Sequence, residues 1–271
     1  MEGKTAVITG ATSGIGAAYA ARYAKDGCNL IITGRRKERI ETFAEKLENE
    51  YKVDVEVVLG ELSEDEDVQR LLEKISHRQV DILINNAGFG ESSLFQSCEL
   101  NVMEQMVKLN VLAPIKLIRA VLPSMVERGS GTIINISSES AFLSIPKNSV
   151  YSGCKSFLKS FTECLHLDLM NTRIKVQVLC PSFTKTDFHE KMGMDKSRQK
   201  NKGLIRWLSP DDVVDISLKA LQKDKVVCKT GIHSKLIIWI MGLLPRRMYY
   251  KFVYSFSQKN FQDKTKHISE G

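Results

Sequence analysis

No two cysteines of this 271-residue chain form a C-x-x-C pair, and its five histidines are dispersed. Cys28, Cys98, Cys154, Cys164, Cys180 and Cys228 are scattered, several of them inside apolar runs. They read as reduced, structural thiols of an intracellular protein. His77, His166, His189, His233 and His267 show no metal-ligand spacing, so no metal is expected. There is no linker rich in Gly, Pro or Ser and no internal repeat, and with 43% hydrophobic residues one large domain with a sizeable core is expected. Met1 leads straight into a strand-like segment, so no signal peptide is expected. The apolar run at 236–245 has ten residues, short of the ~20 that span a bilayer.

Charge is present but unevenly placed. The net charge is +7; residues 185–206 carry seven Lys/Arg against three Asp/Glu, and residues 233–271 seven against two. The remainder is slightly acidic. Two local basic surfaces follow, read first as solvated charge on a loop and a tail, and more sharply as attraction for an anionic partner. No nucleic-acid motif accompanies the charge, so nucleic acid is not an expected partner.

Apolar runs and helical patterns alternate along the chain. Strands are predicted at 4–9, 29–33, 54–59, 81–85, 131–136, 175–179 and 226–228. Helices are predicted at 17–27, 37–51, 99–127 (bent or broken by Pro114 and Pro123), 150–171 and 210–223, and another opens with a capping-box spacing from Ser63 to Glu66. This rhythm predicts an α/β fold, a single-domain Rossmann-type doubly wound parallel sheet of about seven strands with helices on both faces. Residues 1–232 form that domain and 233–271 a basic apolar-aromatic tail. Residues 182–206, basic and strandless after the sixth strand, read as a substrate lid.

The first strand runs into Gly10-Ala-Thr-Ser-Gly14-Ile-Gly16 and then a helix, the context in which a glycine loop cradles a dinucleotide. Gly10, Thr12, Ser13, Gly14, Ile15 and Gly16 are the candidate cradle. Glycine allows close backbone approach, and the helix start offers free N–H groups to a pyrophosphate. After the second strand stands Thr33-Gly34-Arg35-Arg36, where an acidic residue would favour a ribose hydroxyl. Arginine instead suits a 2′-phosphate, pairing with it bidentately and stacking on adenine. Arg35 therefore predicts NADP(H) over NAD(H), while Arg36 is read as capping the next helix or as solvated.

In the predicted helix from 150, Tyr151 and Lys155 stand at i and i+4, within reach of one another. A phenol near its free pKa of about 10 is a poor proton carrier at neutral pH. An adjacent ammonium favours the phenolate and is expected to bring the tyrosine toward its working range. Ser138, thirteen residues upstream at the end of an apolar run, can hold a substrate oxygen beside the phenol; the interval selects it over Ser137.

Together, Thr9-Gly10-x-x-x-Gly14-x-Gly16, Asn85-Asn86-Ala87-Gly88, Asn110, Ser138 and Tyr151-x-x-x-Lys155 resemble the short-chain dehydrogenase/reductase family over residues 4–230. The resemblance implies a nicotinamide oxidoreductase with Tyr151 as general acid/base. Lys155 would bind the nicotinamide ribose and lower the tyrosine pKa, Ser138 would orient the carbonyl, and Asn110 would hold a water in the proton relay. Asn86, Glu61 and Leu62 would line the cofactor, with Thr184 near the nicotinamide amide. Three departures stand out: Glu61 for the usual aspartate, Pro181-Ser182 for the usual Pro-Gly, and Cys154 for a small residue. Residues 125–138, 161–166 and 236–250 are similar to the branch of 17β-hydroxysteroid dehydrogenases and long-chain 3-oxoacyl-CoA reductases. That implies a lipophilic ketone or secondary alcohol, steroid or 3-oxoacyl in type, with broad carbonyl reduction as an alternative. The rival class is a non-catalytic nucleotide-binding regulator or membrane adaptor. Family habit implies a homodimer or homotetramer. The tail, with aromatic and basic residues following its apolar run, suits burial over a pocket or dimer contact first. Peripheral membrane contact through 236–256 comes second, in an otherwise cytoplasmic protein.

Overall fold

The computed structural model describes residues 1–188, 201 and 206–266. Seven strands, β1 (Thr5–Thr9), β2 (Asn29–Gly34), β3 (Val55–Leu59), β4 (Ile82–Asn85), β5 (Ser130–Ile136), β6 (Arg173–Cys180) and β7 (Val227–Lys229), form one sheet. The order is β3-β2-β1-β4-β5-β6-β7 and every pairing is parallel. Parallel strands are covered on both faces, which is why these segments are nearly continuous in Val, Ile and Leu.

The register turns that composition into two cores. Ile32, Ile8, Ile84 and Ile134 lie in one row across four strands, and Ile31, Val7, Leu83 and Ile133 in the adjacent row. Side chains alternate, so the two rows face opposite ways. The first row packs under α1 (Gly14–Lys25), α2 (Lys37–Tyr51) and α7 (Pro210–Gln222), through Tyr19, Ile40 and Val213. The second packs under α3 (Asp65–Ser76), α5 (Ala113–Arg128) and α6 (Ser149–Asp168), through Leu71, Leu117 and Leu165. Each such side chain, fully buried, contributes roughly 1.5–3 kcal/mol. A buried chain of hydrogen bonds from the Tyr19 hydroxyl to Ser217 Oγ (2.6 Å) and on to Gln177 Oε1 (2.5 Å) ties α1, α7 and β6 together.

Three local expectations need correction. Ser63 does not cap α3: Glu64 is the N-cap, with no side-chain cap bond, and Ser63 is buried. Asp65, Glu66 and Asp67 fill the first turn instead, where acidic side chains meet the positive end of the helix dipole. The box that does form joins Ser209 and Asp212 at the start of α7. The helix expected over 99–127 is three pieces: α4 (Leu100–Val107), a π-turn at Lys108–Leu112, and α5. Pro114 is the second residue of α5, directly after the π-turn, and Pro123 lies inside that helix. Residues 100–128 are long and apolar enough to cross a bilayer, but they run along the sheet with Leu117, Ile118, Val121 and Met125 in the core. They read as a core helix. Finally, the tail folds as α8 (Ile232–Leu243) and α9 (Arg246–Lys266), and within the single chain it leaves most of its apolar residues exposed, not folded over a pocket. Met241 and Tyr249 are buried, whereas Trp239 is 63% and Leu243 66% exposed. The expected lid falls largely at 189–200 and 202–205, outside the described residues.

Candidate active site

Strand order reverses between β1 and β4: β2 and β3 extend to one side, β5, β6 and β7 to the other. Loops leaving the carboxyl ends of such neighbours diverge and open a crevice. A cleft of about 230 Å³ lies there. Gly10, Thr12, Ser13, Gly14, Ile15, Arg35, Glu61, Leu62, Asn86 and Thr184 line it together with Ser138, Tyr151 and Lys155. Of the expected site residues, only Gly16 and Asn110 stand behind its walls.

At the β1 end the loop needs glycine for space and for conformation. Gly10 and Gly14 have φ of 66° and 59°. A Cβ on Gly16 would press into Asn86 Nδ2 and the Gly10 carbonyl oxygen, well inside contact distance. Asn86 locks this junction, its Nδ2 donating to the carbonyls of Thr9 (2.9 Å) and Gly10 (3.1 Å). Thr9 Oγ1 in turn accepts from the amides of Asn86 and Ala87, both at 2.9 Å. The sequence reading gave Thr9 no role of its own; its place at the end of a buried strand was the available signal.

The two arginines are not alike. Arg35 Nη1 pairs with Glu61 Oε2 at 2.5 Å and is 57% exposed. Arg36, read from sequence as a cap or as solvated, instead reaches into the glycine loop. Its Nη2 donates to Thr12 Oγ1 and Ser13 Oγ at 2.9 Å, and its Nη1 pairs with Asp187 at 3.4 Å. No side-chain cap bond to α2 is formed. Arg39 also pairs with Asp187, at 3.1 Å. Arg36, Thr186, Asp187 and Phe188 all line the cleft, and none was among the site residues expected from sequence.

At the β5 end, α6 carries Tyr151 and Lys155 on its inward face, 7% and 4% exposed. A buried amide ladder fixes that helix: Asn85 Nδ2 donates to Asn135 Oδ1 (2.8 Å), and Asn135 Nδ2 to Thr162 Oγ1 (2.9 Å). β4, β5 and α6 are thereby held in one register. Lys155 Nζ donates to the Ile136 carbonyl at 3.0 Å and lies 5.7 Å from the Tyr151 ring centre. Ser138 lines the cleft, while Ser137 is buried and donates its hydroxyl to the Lys155 carbonyl at 2.8 Å. Phe188 packs against the Tyr151 ring, centres 5.8 Å apart.

Asn110 owes its place to the π-turn. Within it, Asn110 Nδ2 donates to the Met106 carbonyl at 2.9 Å and to the Phe89 carbonyl at 3.0 Å. Its Oδ1 is buried with no partner, beneath Gly88 and near Lys155.

The electrostatics depart from the expectation in sign. Burial pushes the Tyr151 phenol well above its ordinary value; a hydrogen bond to Ser138 only partly offsets this, and nearby Cys154 adds to it. Burial lowers Lys155 to about 8. The lysine therefore does not bring the phenol toward neutral pH here, because desolvation of both groups outweighs their proximity.

The donor set fits a phosphorylated nicotinamide dinucleotide. The first turn of α1 has no side-chain cap, which leaves amides facing the cleft for a pyrophosphate. Two guanidinium groups stand at one end and a buried ammonium at the other, beside an unpaired amide oxygen.

A sequence model described as short chain dehydrogenase matches residues 4–197. An uncharacterised oxidoreductase of Staphylococcus saprophyticus is 33% identical over 225 residues, covering 82% of this chain and 93% of the relative. The very-long-chain 3-oxoacyl-CoA reductase of Mus musculus is 30% identical over 260 residues, 94% of this chain and 80% of the relative. Among solved structures, a short-chain dehydrogenase from Sphingobium yanoikuyae in complex with NADPH superposes with a TM-score of 0.79. It is 30% identical, and the match covers 89% of this chain and 96% of that one. The bulky-bulky ketone specific alcohol dehydrogenase of Comamonas testosteroni matches at a TM-score of 0.76 and 28% identity, over 100% and 96% of the two chains.

Proposed function

The chain belongs to the short-chain dehydrogenase family of oxidoreductases, and from that premise we propose that it interconverts a lipophilic ketone and its secondary alcohol with NADP(H). The bound cofactor supplies or accepts the hydride. Arg35 and Arg36 hold its 2′-phosphate, the amides at the start of α1 meet the pyrophosphate, and Lys155 holds the nicotinamide ribose. Ser138 donates to the substrate oxygen and keeps it beside the Tyr151 hydroxyl. In the reducing direction Tyr151 gives its proton to that oxygen; in the oxidising direction it takes the proton back. A phenol whose burial keeps it protonated is ready to donate, and the Lys155 ammonium stabilises the phenolate left behind. Asn110, with its free Oδ1 beside Lys155, fits the relay that restores the proton.

The observation that carries this reading is the convergence of Ser138, Tyr151 and Lys155 on the cleft that also holds the glycine loop and both arginines. The substrate class rests on apolar walls from Phe89, Leu109, Ile136 and Phe188, and on relatives named for 3-oxoacyl-CoA and bulky ketones. We include a homo-oligomer, since Val107, Leu112, Val126 and Phe157 leave apolar side chains exposed on α4 to α6. The test is NADPH oxidation against 17-keto and 3-keto steroids, 3-oxoacyl thioesters and small aromatic ketones, with wild type and Tyr151→Phe. The expected result is turnover of one lipophilic class, lost by roughly 10²–10⁴ in the variant with NADPH binding intact. Near-normal turnover by Tyr151→Phe would overturn the mechanism.

A further inference from the structure

The tail presents a surface that the chemistry above does not use. Among the described residues, nine of the 21 exposed large hydrophobics fall between Leu236 and Tyr254. On α8, Leu236, Trp239, Ile240 and Leu243 are all at least 46% exposed, and their spacing places them along one face of the helix. On α9, Met248 and Phe252 are 57% and 56% exposed, one turn apart. Arg246, Arg247 and Lys251 stand exposed among them, and from 236 to 262 the sequence has no Asp or Glu.

This surface is anchored to the domain. Met241 and Tyr249 are buried, and the Tyr249 hydroxyl accepts from the Ser144 amide at 2.6 Å. Ser144 lies in the stretch that joins Ser138 to Tyr151. The apolar face is therefore held outward by contacts on the opposite side, next to the segment that carries the candidate site.

We propose that α8 and α9 dock this protein onto an anionic lipid surface, lying in the interface without crossing it. The 12 residues of α8 rise about 18 Å, too short for a hydrocarbon core of about 30 Å. Trp and Tyr suit the headgroup level, where their rings are buried and their polar edges stay wet. Arginine and lysine extend along apolar surface and keep their charge at the phosphates. The charge decides between occupants. A second copy would bring its own Arg246, Arg247 and Lys251 against the same patch, with no acid in the segment to neutralise them. A leaflet with negative headgroups complements it directly.

The full chain is tested by sedimentation with vesicles of phosphatidylcholine alone and of phosphatidylcholine with phosphatidylserine, at low and high salt. The expected result is binding to the anionic vesicles that weakens with salt. At about fivefold per basic residue, Arg246→Gln/Arg247→Gln/Lys251→Gln lowers partitioning on the order of 100-fold. Trp239→Ser/Leu243→Ser removes it, while NADPH binding and turnover of a water-soluble ketone stay unchanged in both variants. Absence of wild-type vesicle binding overturns the proposal. So does a wild-type oligomer that dissociates in Trp239→Ser/Leu243→Ser, because the face then belongs to a second copy.

Discussion

On the proposed reading, cofactor choice is set by a competition between Asp187 and a 2′-phosphate for Arg36, and it can be pushed in either direction. Arg36 must release Asp187, 3.4 Å away, before it can grip a 2′-phosphate fully. A hydrogen bond between a charged pair contributes about 1.5–3 kcal/mol. Releasing a partly exposed ion pair costs about 0–1 kcal/mol. The surplus, about 0.5–3 kcal/mol, corresponds to a loss of roughly 2–160-fold in NADPH affinity for Arg36→Ala. Arg35, more exposed and held at 2.5 Å by Glu61, contributes less. A loss alone is ambiguous, because Arg36 also shapes the loop through Thr12 and Ser13. The opposite change is not. Asp187→Asn keeps the shape and removes the competing charge, so it should tighten NADPH by about 2–5-fold and leave NADH nearly unchanged. Titration of NADPH fluorescence at two salt concentrations reads both cofactors. Weaker NADPH binding by Asp187→Asn, or equal losses of NADPH and NADH in Arg36→Ala, would refute the reasoning.

Three further predictions concern the site and its scaffold. In Gly88→Ala the new Cβ lies 2.6 Å from Asn110 Oδ1 and 3.3 Å from Lys155 Nζ; steady-state turnover should fall on the order of 100-fold while the protein stays folded by circular dichroism. Lys155 has a folded pKa of about 8 against an ordinary 10.5, so the unfolded chain binds more protons between those values and burying the ammonium costs stability below pH 8, relieved as pH rises. Lys155→Met, even after losing the bond to Ile136, should be more stable than wild type by about 2 kcal/mol at pH 7 in urea melts, the difference shrinking from pH 8 to 10.5 while turnover is lost. Ser209→Ala breaks the capping box with Asp212 and should cost about 1 kcal/mol in the same melts without changing cofactor affinity.

What the sequence could show depended on whether a property is local. Strand and helix identities were legible because burial on both faces leaves a composition signal in each segment. The glycine loop was legible because close approach permits little else at Gly10, Gly14 and Gly16. Arg36 was misread because its partner Asp187 lies 151 residues away, across the crevice. The π-turn escaped because an extra residue in a helical turn leaves no mark on apolar spacing. The same turn gives Asn110 its two carbonyl partners. The exposure of the tail within the single chain was hidden for a related reason: alternating apolar and basic residues fit the edge of a protein core and an outward face equally, and only the surrounding surface separates them.

The tyrosine shows the limit most sharply. Spacing of i and i+4 establishes that two side chains can meet, and from that the sign of a pKa shift was inferred. The sign depends on how much water both groups lose, and neither spacing nor composition carries that quantity. Here the lysine donates to Ile136 while both groups are buried, so each is driven toward its neutral form. A neutral phenol beside a lysine close to its own titration point is not a weaker catalyst for that. A proton donor must hold its proton until the substrate oxygen needs it, and the lysine needs its charge only once the phenolate exists. On the proposed mechanism the proton therefore rests on Tyr151 before cofactor and substrate are bound, and that follows from the depth at which the two side chains of α6 are buried.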